Sequence, residues 1–259
     1  MRENGKEVLI IIPAYNEAQT IGTLLENIEK EKVFEKCDIL VVNDSSSDGT
    51  SDVVKARGHK VITHIYNLGY GSGLQTGYKY AKRMDYDYVI QLDADGQHDV
   101  SNISKIYDAL MQKDENGIGP DIVIGSRFLK DSPAYKSTLA KNAGYFLFRT
   151  LIALFTGKKI MDPTSGLQGL SRRAFCLYSK YDWFDDKYPD ANMITQMLLL
   201  GYRVEEIPAL MHQRTVGKSM HSGLKPVMYM IKMTYMIFAV WFRFGLLKMD
   251  RRYRNNQSV

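Results

Sequence analysis

The 259-residue sequence predicts an α/β domain built on a mostly parallel, doubly wound sheet with helices on both faces. Three observations predict it. Short β-rich runs alternate with segments of helical period, and the runs are apolar along their length, as strands buried on both faces are. Polar segments follow four of these runs, at the strand ends where ligands bind in such sheets.

The elements follow in order. "VLIII" (residues 8–12) is a strand and 18–30 a helix; "DILVV" (38–42) precedes a helix over 50–57; "KVITHI" (60–65) precedes one over 73–84. "YVIQL" (88–92) leads to a helix near 101–111, and "DIVIG" (121–125) is the next strand. Beyond it the alternation becomes less regular. "LAKNAGYFLFRTLIALFTG" (139–157) reads as an apolar helix, and "DPTSGLQGLSRRAF" as a loop entering a helix. "ANMITQMLLLGYRVEEIP" reads as a helix, a glycine turn and a short strand, after which a tail begins near Gly223.

Composition is that of a globular protein, 45% hydrophobic and 24% charged, without repeats or low-complexity segments, so one large domain and a tail are expected. Cys37 and Cys176 form no CxxC pair, which argues against a disulfide framework or a zinc site and fits a reducing compartment. The N-terminal apolar stretch is too short for a secretory signal, so the expected location is cytoplasmic. The net charge of +5 sits in the tail, where seven basic residues from Lys225 onward face one acid, Asp250. A basic tail on a near-neutral body speaks against nucleic acid and for an anionic surface such as a membrane.

Four loops converge on one sheet edge: "PAYNE", "NDSSSDGT", "NLGYGSG" and "DADGQ". Each alone could be an ordinary turn. The last is the most chemical, because alternate side chains of an extended segment share a face, and Asp93, Asp95 and Gln97 there present three oxygen ligands. Such a set suits Mg²⁺ or Mn²⁺ carrying a substrate's phosphates. Asp99, just ahead of the next helix, reads as a cap. Two other motifs mislead. "GYGSGLQTG" does not give GxGxxG and follows the third strand; "VGKS" has His212 where a phosphate-binding P-loop needs glycine.

Together "IIPAYNE", "VVNDSSSDGT", "NLGYGSG", "LDADGQH", "GSRF", "DPTSGLQGLSR", "GYRVEEIP" and "RTVGKS" resemble the ordered motifs of family-2 glycosyltransferases, in the dolichyl-phosphate mannose synthase-like branch. The resemblance spans residues 8–219. It implies the GT-A nucleotide-sugar-binding fold over residues 1–222, with an amphipathic, basic helical tail at 223–259. It implies a hexosyltransferase that moves a sugar from a nucleotide diphosphate sugar to a polyprenyl phosphate, undecaprenyl or dolichyl, at the cytoplasmic membrane face.

By position, Pro13, Ala14, Tyr15 and Glu17 would line the nucleoside pocket, Asp44 would bind the base, and Asp93 the ribose or sugar. Asp95 with Gln97 would hold the metal. Asn43 stands where many relatives carry aspartate, and Ser45 where glycine is common. Arg127, Arg214, Lys218 and Ser219 offer donors suited to a dense anion, with a solvated basic loop as the alternative. The cation ahead of the apolar helix is Lys136 or Lys141. Asp162 either orients acceptor or sugar or is a turn-forming Asp-Pro, and Asp190 stands in the same balance with a helix cap. Transfer to a polysaccharide hydroxyl would need Asp162 or Asp190 as base, whereas a non-catalytic nucleotide-sugar binder would keep the "DADGQ" loop for folding only.

The tail's longest uncharged run, residues 233–242, is shorter than the roughly 20 residues that span a bilayer as a helix. Lys225, Lys232, Arg243, Asp250 and Arg254 fall on one narrow stripe of a helix otherwise filled by Met, Ile, Phe, Tyr and Trp. That pattern fits an interfacial helix lying on lipid or docking on a small membrane protein, or a helix packed on the core or on a second copy of the chain.

Overall fold

In the computed structural model, which describes residues 5–132, 139–212 and 225–249, the apolar run VLIIIPA forms β1 (Val8–Ala14), buried at every position. The chain continues through α1 (Ile21–Glu29), β2 (Cys37–Asn43), α2 (Thr50–Ala56), β3 (Lys60–Thr63) and α3 (Tyr70–Arg83). β4 (Tyr88–Gln91), α4 (Ser101–Met111), β5 (Ile122–Ser126) and α5 (Leu139–Thr156) follow. β6 (Gln168–Ser171), α6 (Arg172–Tyr178), α7 (Ala191–Leu199), β7 (Val204–Pro208) and α8 (Lys225–Val240) complete the order, and α8 runs into a π-helical turn at Trp241–Leu246.

The sheet has the order β3-β2-β1-β4-β6-β5-β7. β1 pairs in parallel with β2 and β4, β2 with β3, and β5 with β7. Successive β1 side chains enter opposite layers, as the pleat requires. Val8, Ile10 and Ile12 meet Leu25 and Ile28 of α1 and Ile103 of α4, whereas Leu9 and Ile11 meet Leu74 and Tyr78 of α3. Gly77 permits the second approach: a Cβ there would lie 2.5 Å from the Ile11 side chain.

β6 corrects the reading of "DPTSGLQGLSRRAF" as a loop. It is a four-residue strand, antiparallel to both β4 and β5, with Gly169 at its middle. It shows no hydrophobic period because it is short and because any side chain at Gly169 would overlap Ile106 of α4. Inserting it separates β4 from β5, which sets the loops that follow those two strands apart across the edge.

The expected boundary at 222/223 divides residues that share one core. Met233, Ile237, Val240 and Phe244 belong to the same buried cluster as Leu9 and Ile11. α8 packs on α5 and α7, with Phe155 stacked on Trp241 at 4.8 Å and edge-on to Phe238 at 5.1 Å. The opposite face remains open, with Met228, Ile231 and Tyr235 each at least 67% exposed. Val227–Leu246 is long and apolar enough to cross a bilayer by length and composition, yet its inner face is committed to the core.

Ile237→Ala, at a fully buried position of the tail helix, is expected to destabilise the whole domain by about 2–5 kcal/mol. Urea unfolding followed by intrinsic fluorescence measures it, and an unchanged midpoint would make the helix an appendage.

Candidate active site

The carboxyl ends of β1, β2 and β4 are consecutive in the sheet, so the loops that leave them are neighbours. Pro13 and Ala14 are buried in β1 itself, whereas Tyr15 is 51% exposed just beyond it. Asn16 and Ser45 have positive φ, +56° and +62°, and turn the first two loops toward each other. Backbone amides then stitch them. Asn16 N–H donates to Ser46 Oγ at 2.9 Å, Glu17 N–H to Thr50 Oγ1 at 3.0 Å, and Ala18 N–H to Asp48 Oδ2 at 3.0 Å. The Glu17 carboxylate accepts from Thr20 Oγ1 at 2.7 Å.

Asp44, expected to bind the base, is engaged by the protein itself. Its buried carboxylate accepts from the backbone N–H of Leu68 (2.9 Å) and of Gly69 (2.7 Å) and pairs with His64 Nδ1 (2.7 Å). It therefore holds the third loop in place. Gly69, at φ +96°, makes the sharp entry into α3, whose first residue, Tyr70, donates its hydroxyl to Asp93 Oδ1 at 2.9 Å. Asp44 thus reaches the fourth loop through a chain of contacts.

Asp93 also lies 3.5 Å from His98 Nε2. Burial opposes its ionisation, but the His98 hydrogen bond and charge, the Tyr70 hydroxyl and the Arg127 charge outweigh burial and hold it below the ordinary carboxylate range. Gly166 leaves the room it occupies, since a Cβ there would stand 2.6 Å from Asp93 Oδ2. Asp95 receives the Gln97 N–H at 3.0 Å, and Gln97 is braced in turn by His212, whose N–H donates to the Gln97 carbonyl at 2.7 Å. Asp99 accepts from Ser101 N–H at 2.9 Å, as a cap does, and pairs with His212 Nε2 at 2.8 Å.

No group of three or more His, Cys, Asp and Glu gathers at metal-binding distance among the described residues. Asp95 and Gln97 nevertheless fit a hard cation that takes its other ligands from water and a diphosphate, because both offer oxygen from a half-exposed loop.

Arg127 and Asp162 are placed otherwise than the sequence expected. Asp162 is fully buried, and its carboxylate is taken up by the Arg127 N–H (2.9 Å), Nε (2.7 Å) and Nη2 (2.6 Å). Arg127 Nη2 also donates to Thr164 at 2.9 Å. Glu206 of β7 receives the N–H groups of Met161 and Asp162, both at 2.7 Å. Asp162 is thus a buried counter-ion that orients Arg127, and its burial rules out contact with an acceptor.

Asp190 lies at the start of α7 and accepts the Tyr229 hydroxyl from α8 at 2.6 Å. Burial raises it to about 6, with Asp93 adding to the rise while Tyr229 and Arg127 oppose it. Arg214, Lys218 and Ser219, like Lys136, lie outside the described residues. Tyr70, His98 and Gly166 fall inside the motifs "NLGYGSG", "LDADGQH" and "DPTSGLQGLSR", but the sequence assigns none of them a role. Two clefts of about 540 and 450 Å³ open at the other end of the strands, around Phe34 and His59. There Glu29 is paired with Arg57 and His59.

The chain matches the glycosyl transferase family 2 over residues 9–177. It is 28% identical to a UDP-N-acetylglucosamine–dolichyl-phosphate N-acetylglucosaminyltransferase of Methanococcus voltae, over 68% of this chain and 73% of that protein. It is 27% identical to an undecaprenyl-phosphate mannosyltransferase of Micrococcus luteus, over 83% and 88%. Its backbone superposes with a TM-score of 0.66 on glucosyl-3-phosphoglycerate synthase from Mycobacterium tuberculosis, solved with Mn²⁺, UDP-glucose and phosphoglyceric acid, at 16% identity and covering 92% and 80%. At that identity the likeness concerns the fold, which is the GT-A fold the motifs implied.

Asp162→Ala is expected to destabilise the protein by about 3–5 kcal/mol, because it leaves the Arg127 guanidinium buried without its counter-ion; thermal and urea unfolding measure this. For Asp190 the sign runs the other way. A carboxyl held at about 6 in the fold and near 3.8 when unfolded lowers stability as pH rises from about 4 through 6. Asp190→Asn should therefore raise the melting temperature more at pH 8 than at pH 4, and an equal change at both would refute the assignment.

Proposed function

The chain belongs to glycosyl transferase family 2, and from that premise we propose that it moves one sugar from a nucleoside diphosphate sugar to a polyprenyl phosphate at the cytoplasmic face of a membrane. The observation that carries this reading is the cross-braced loop after β4, in which the Tyr70 hydroxyl fixes Asp93 and the Gln97 N–H closes on Asp95. Similar proteins named as dolichyl- and undecaprenyl-phosphate sugar transferases support the acceptor class.

Each residue then has a task. Asp95 and Gln97 would hold Mg²⁺ or Mn²⁺, which when bound would supply positive charge for the diphosphate. Asp93, kept ionised, accepts from a ribose or sugar hydroxyl. Pro13, Ala14, Tyr15 and Glu17 border the nucleoside. Arg127, set by Asp162, directs positive charge toward the anions; Arg127 and Arg214 serve mainly the acceptor phosphate, and Lys218 and Ser219 are further phosphate ligands. An acceptor phosphate oxygen attacks the anomeric carbon, the bond to the diphosphate oxygen breaks, and the anomeric configuration inverts. The acceptor is already anionic near neutral pH, so no side chain has to remove a proton.

The exposed apolar face of α8 and the basic tail favour peripheral contact with an anionic bilayer. For the second reading, transfer to a hydroxyl, Asp190 is the carboxylate left for the base, since it titrates near 6 and Asp162 is consumed by Arg127.

Incubation with a panel of nucleotide sugars, short polyprenyl phosphates and Mn²⁺, read by mass spectrometry, should yield one sugar-phosphate lipid. Chelation or Asp95→Ala should lower its rate by at least about a hundredfold with the fold intact. Near-normal transfer by the variant would remove Asp95 from the metal, and product with hydroxyl acceptors only would favour the second reading.

A further inference from the structure

The "YPDANM" segment, whose Asp190 the sequence left between a site role and a helix cap, runs from Tyr188 into α7, and its Asp190 meets the C-terminal helix. The Asp190 backbone is fixed on its own side. Its N–H donates to Asn192 Oδ1 at 2.9 Å, its carbonyl receives the Met193 N–H at 2.9 Å, and Asn192 Nδ2 donates to Asp185 Oδ2 at 2.8 Å. Asp185 and Asp186 lie against the start of α3, where Gly71 has no room for a side chain: a Cβ would stand 2.6 Å from the Asp186 carbonyl. One residue earlier is Tyr70, the donor to Asp93. Asp190 and Asp93 therefore belong to one neighbourhood, and Arg127, across the β6 insertion, acts on both.

What orients the Asp190 carboxylate comes from elsewhere in the chain. Tyr229, in the second turn of α8, donates to it at 2.6 Å. The tyrosine ring is gripped edge-on by Phe148 of α5 and tilted against Tyr188, each with centroids 6.1 Å apart, and Lys232 lies 4.2 Å over the Tyr188 ring. The hydroxyl reaches Asp190 only while α8 is seated on α5 and α7.

We propose that Tyr229 is a positioning residue for Asp190, and that their hydrogen bond makes the docked C-terminal helix a working part of the acceptor side of the site. The helix has two faces with different tasks: Met233 and Ile237 anchor it, while Met228, Ile231 and Tyr235 point outward. A hydrogen bond to a carboxylate among other charges is strong enough to select one orientation of that group. The acceptor assignment takes the polyprenyl phosphate of the function proposed above to approach beside α8, whose exposed Met228 and Ile231 flank Tyr229; the link between Tyr229 and Asp190 rests on the geometry.

Full-length Tyr229→Phe tests the link, because it keeps the ring between Phe148 and Tyr188 and removes only the donor. Initial rates are measured against short polyprenyl phosphate and against nucleotide sugar, with nucleoside diphosphate affinity read by calorimetry. The expected result is a fall of about tenfold in kcat/KM for the acceptor, with the donor KM and nucleotide affinity within about twofold of wild type. Tyr229→Phe combined with Asp190→Ala should be no worse than Asp190→Ala alone. Wild-type kinetics for Tyr229→Phe, a parallel loss of nucleotide binding, or additive effects in the double variant would overturn the proposal. Should Tyr229→Phe unfold, Asp190→Asn, which retains an acceptor oxygen for the tyrosine, is compared with Asp190→Ala; equal acceptor kinetics in the two overturn it. A wild-type protein that hydrolyses nucleotide sugar but loads no lipid phosphate overturns the acceptor assignment alone, and the same cycle run on hydrolysis then decides the link.

Discussion

Asp44 accepts two backbone N–H groups and pairs with a histidine at the end of β2, and through those bonds an irregular loop acquires a fixed shape. The loop could not otherwise hold Gly69 at the angle that starts α3, and α3 places the Tyr70 hydroxyl on Asp93. Three loops from three strands are thus set by one buried carboxylate. Loops that carry chemistry have few apolar contacts to hold them, so hydrogen bonds to a buried charge do the holding.

The same economy of charge governs the β5 side of the edge. Asp162 is fully buried, which is costly for a carboxylate, and a bidentate guanidinium with a backbone N–H offsets that cost. Glu206 then fixes the Met161 and Asp162 backbone by two further N–H bonds, and burial pushes its own pKa up. Arg127 is held in one orientation by a partner that faces away from solvent. Preorganised positive charge of this kind stabilises a departing anion without having to move when the charge develops.

α8 joins two requirements that the sequence kept apart. Its inner face fills a cavity between α5 and α7 with Met233, Ile237, Val240 and Phe244, and its outer face leaves several large apolar side chains in solvent. The two readings of the tail, packed on the core or turned to a membrane, are therefore compatible. A helix packs on one side and binds on the other because its residues point radially, at about 100° per residue. This arrangement places a helix with an exposed apolar face within a hydrogen bond of the carboxylate that precedes α7.

The sequence by itself determined every strand but β6, most helices and the place of the acidic loop. β1 reads as buried on both faces because it is apolar throughout, and "DADGQ" reads as a ligand loop because it ends such a strand. These are local properties, carried by consecutive residues. Which partner each charge would meet was decided only by tertiary structure. Asp44 and Asp162 were legible as carboxylates at the right edge, but nothing nearby in the chain says that Leu68 and Gly69 would claim one and Arg127 the other. β6 was hidden because its central glycine answers to Ile106 on a helix more than sixty residues earlier. Tyr229 and Asp190, 39 residues apart, meet because α8 folds back over α7 to bury its apolar face, and a sequence pattern records that a face is apolar without recording what it will cover.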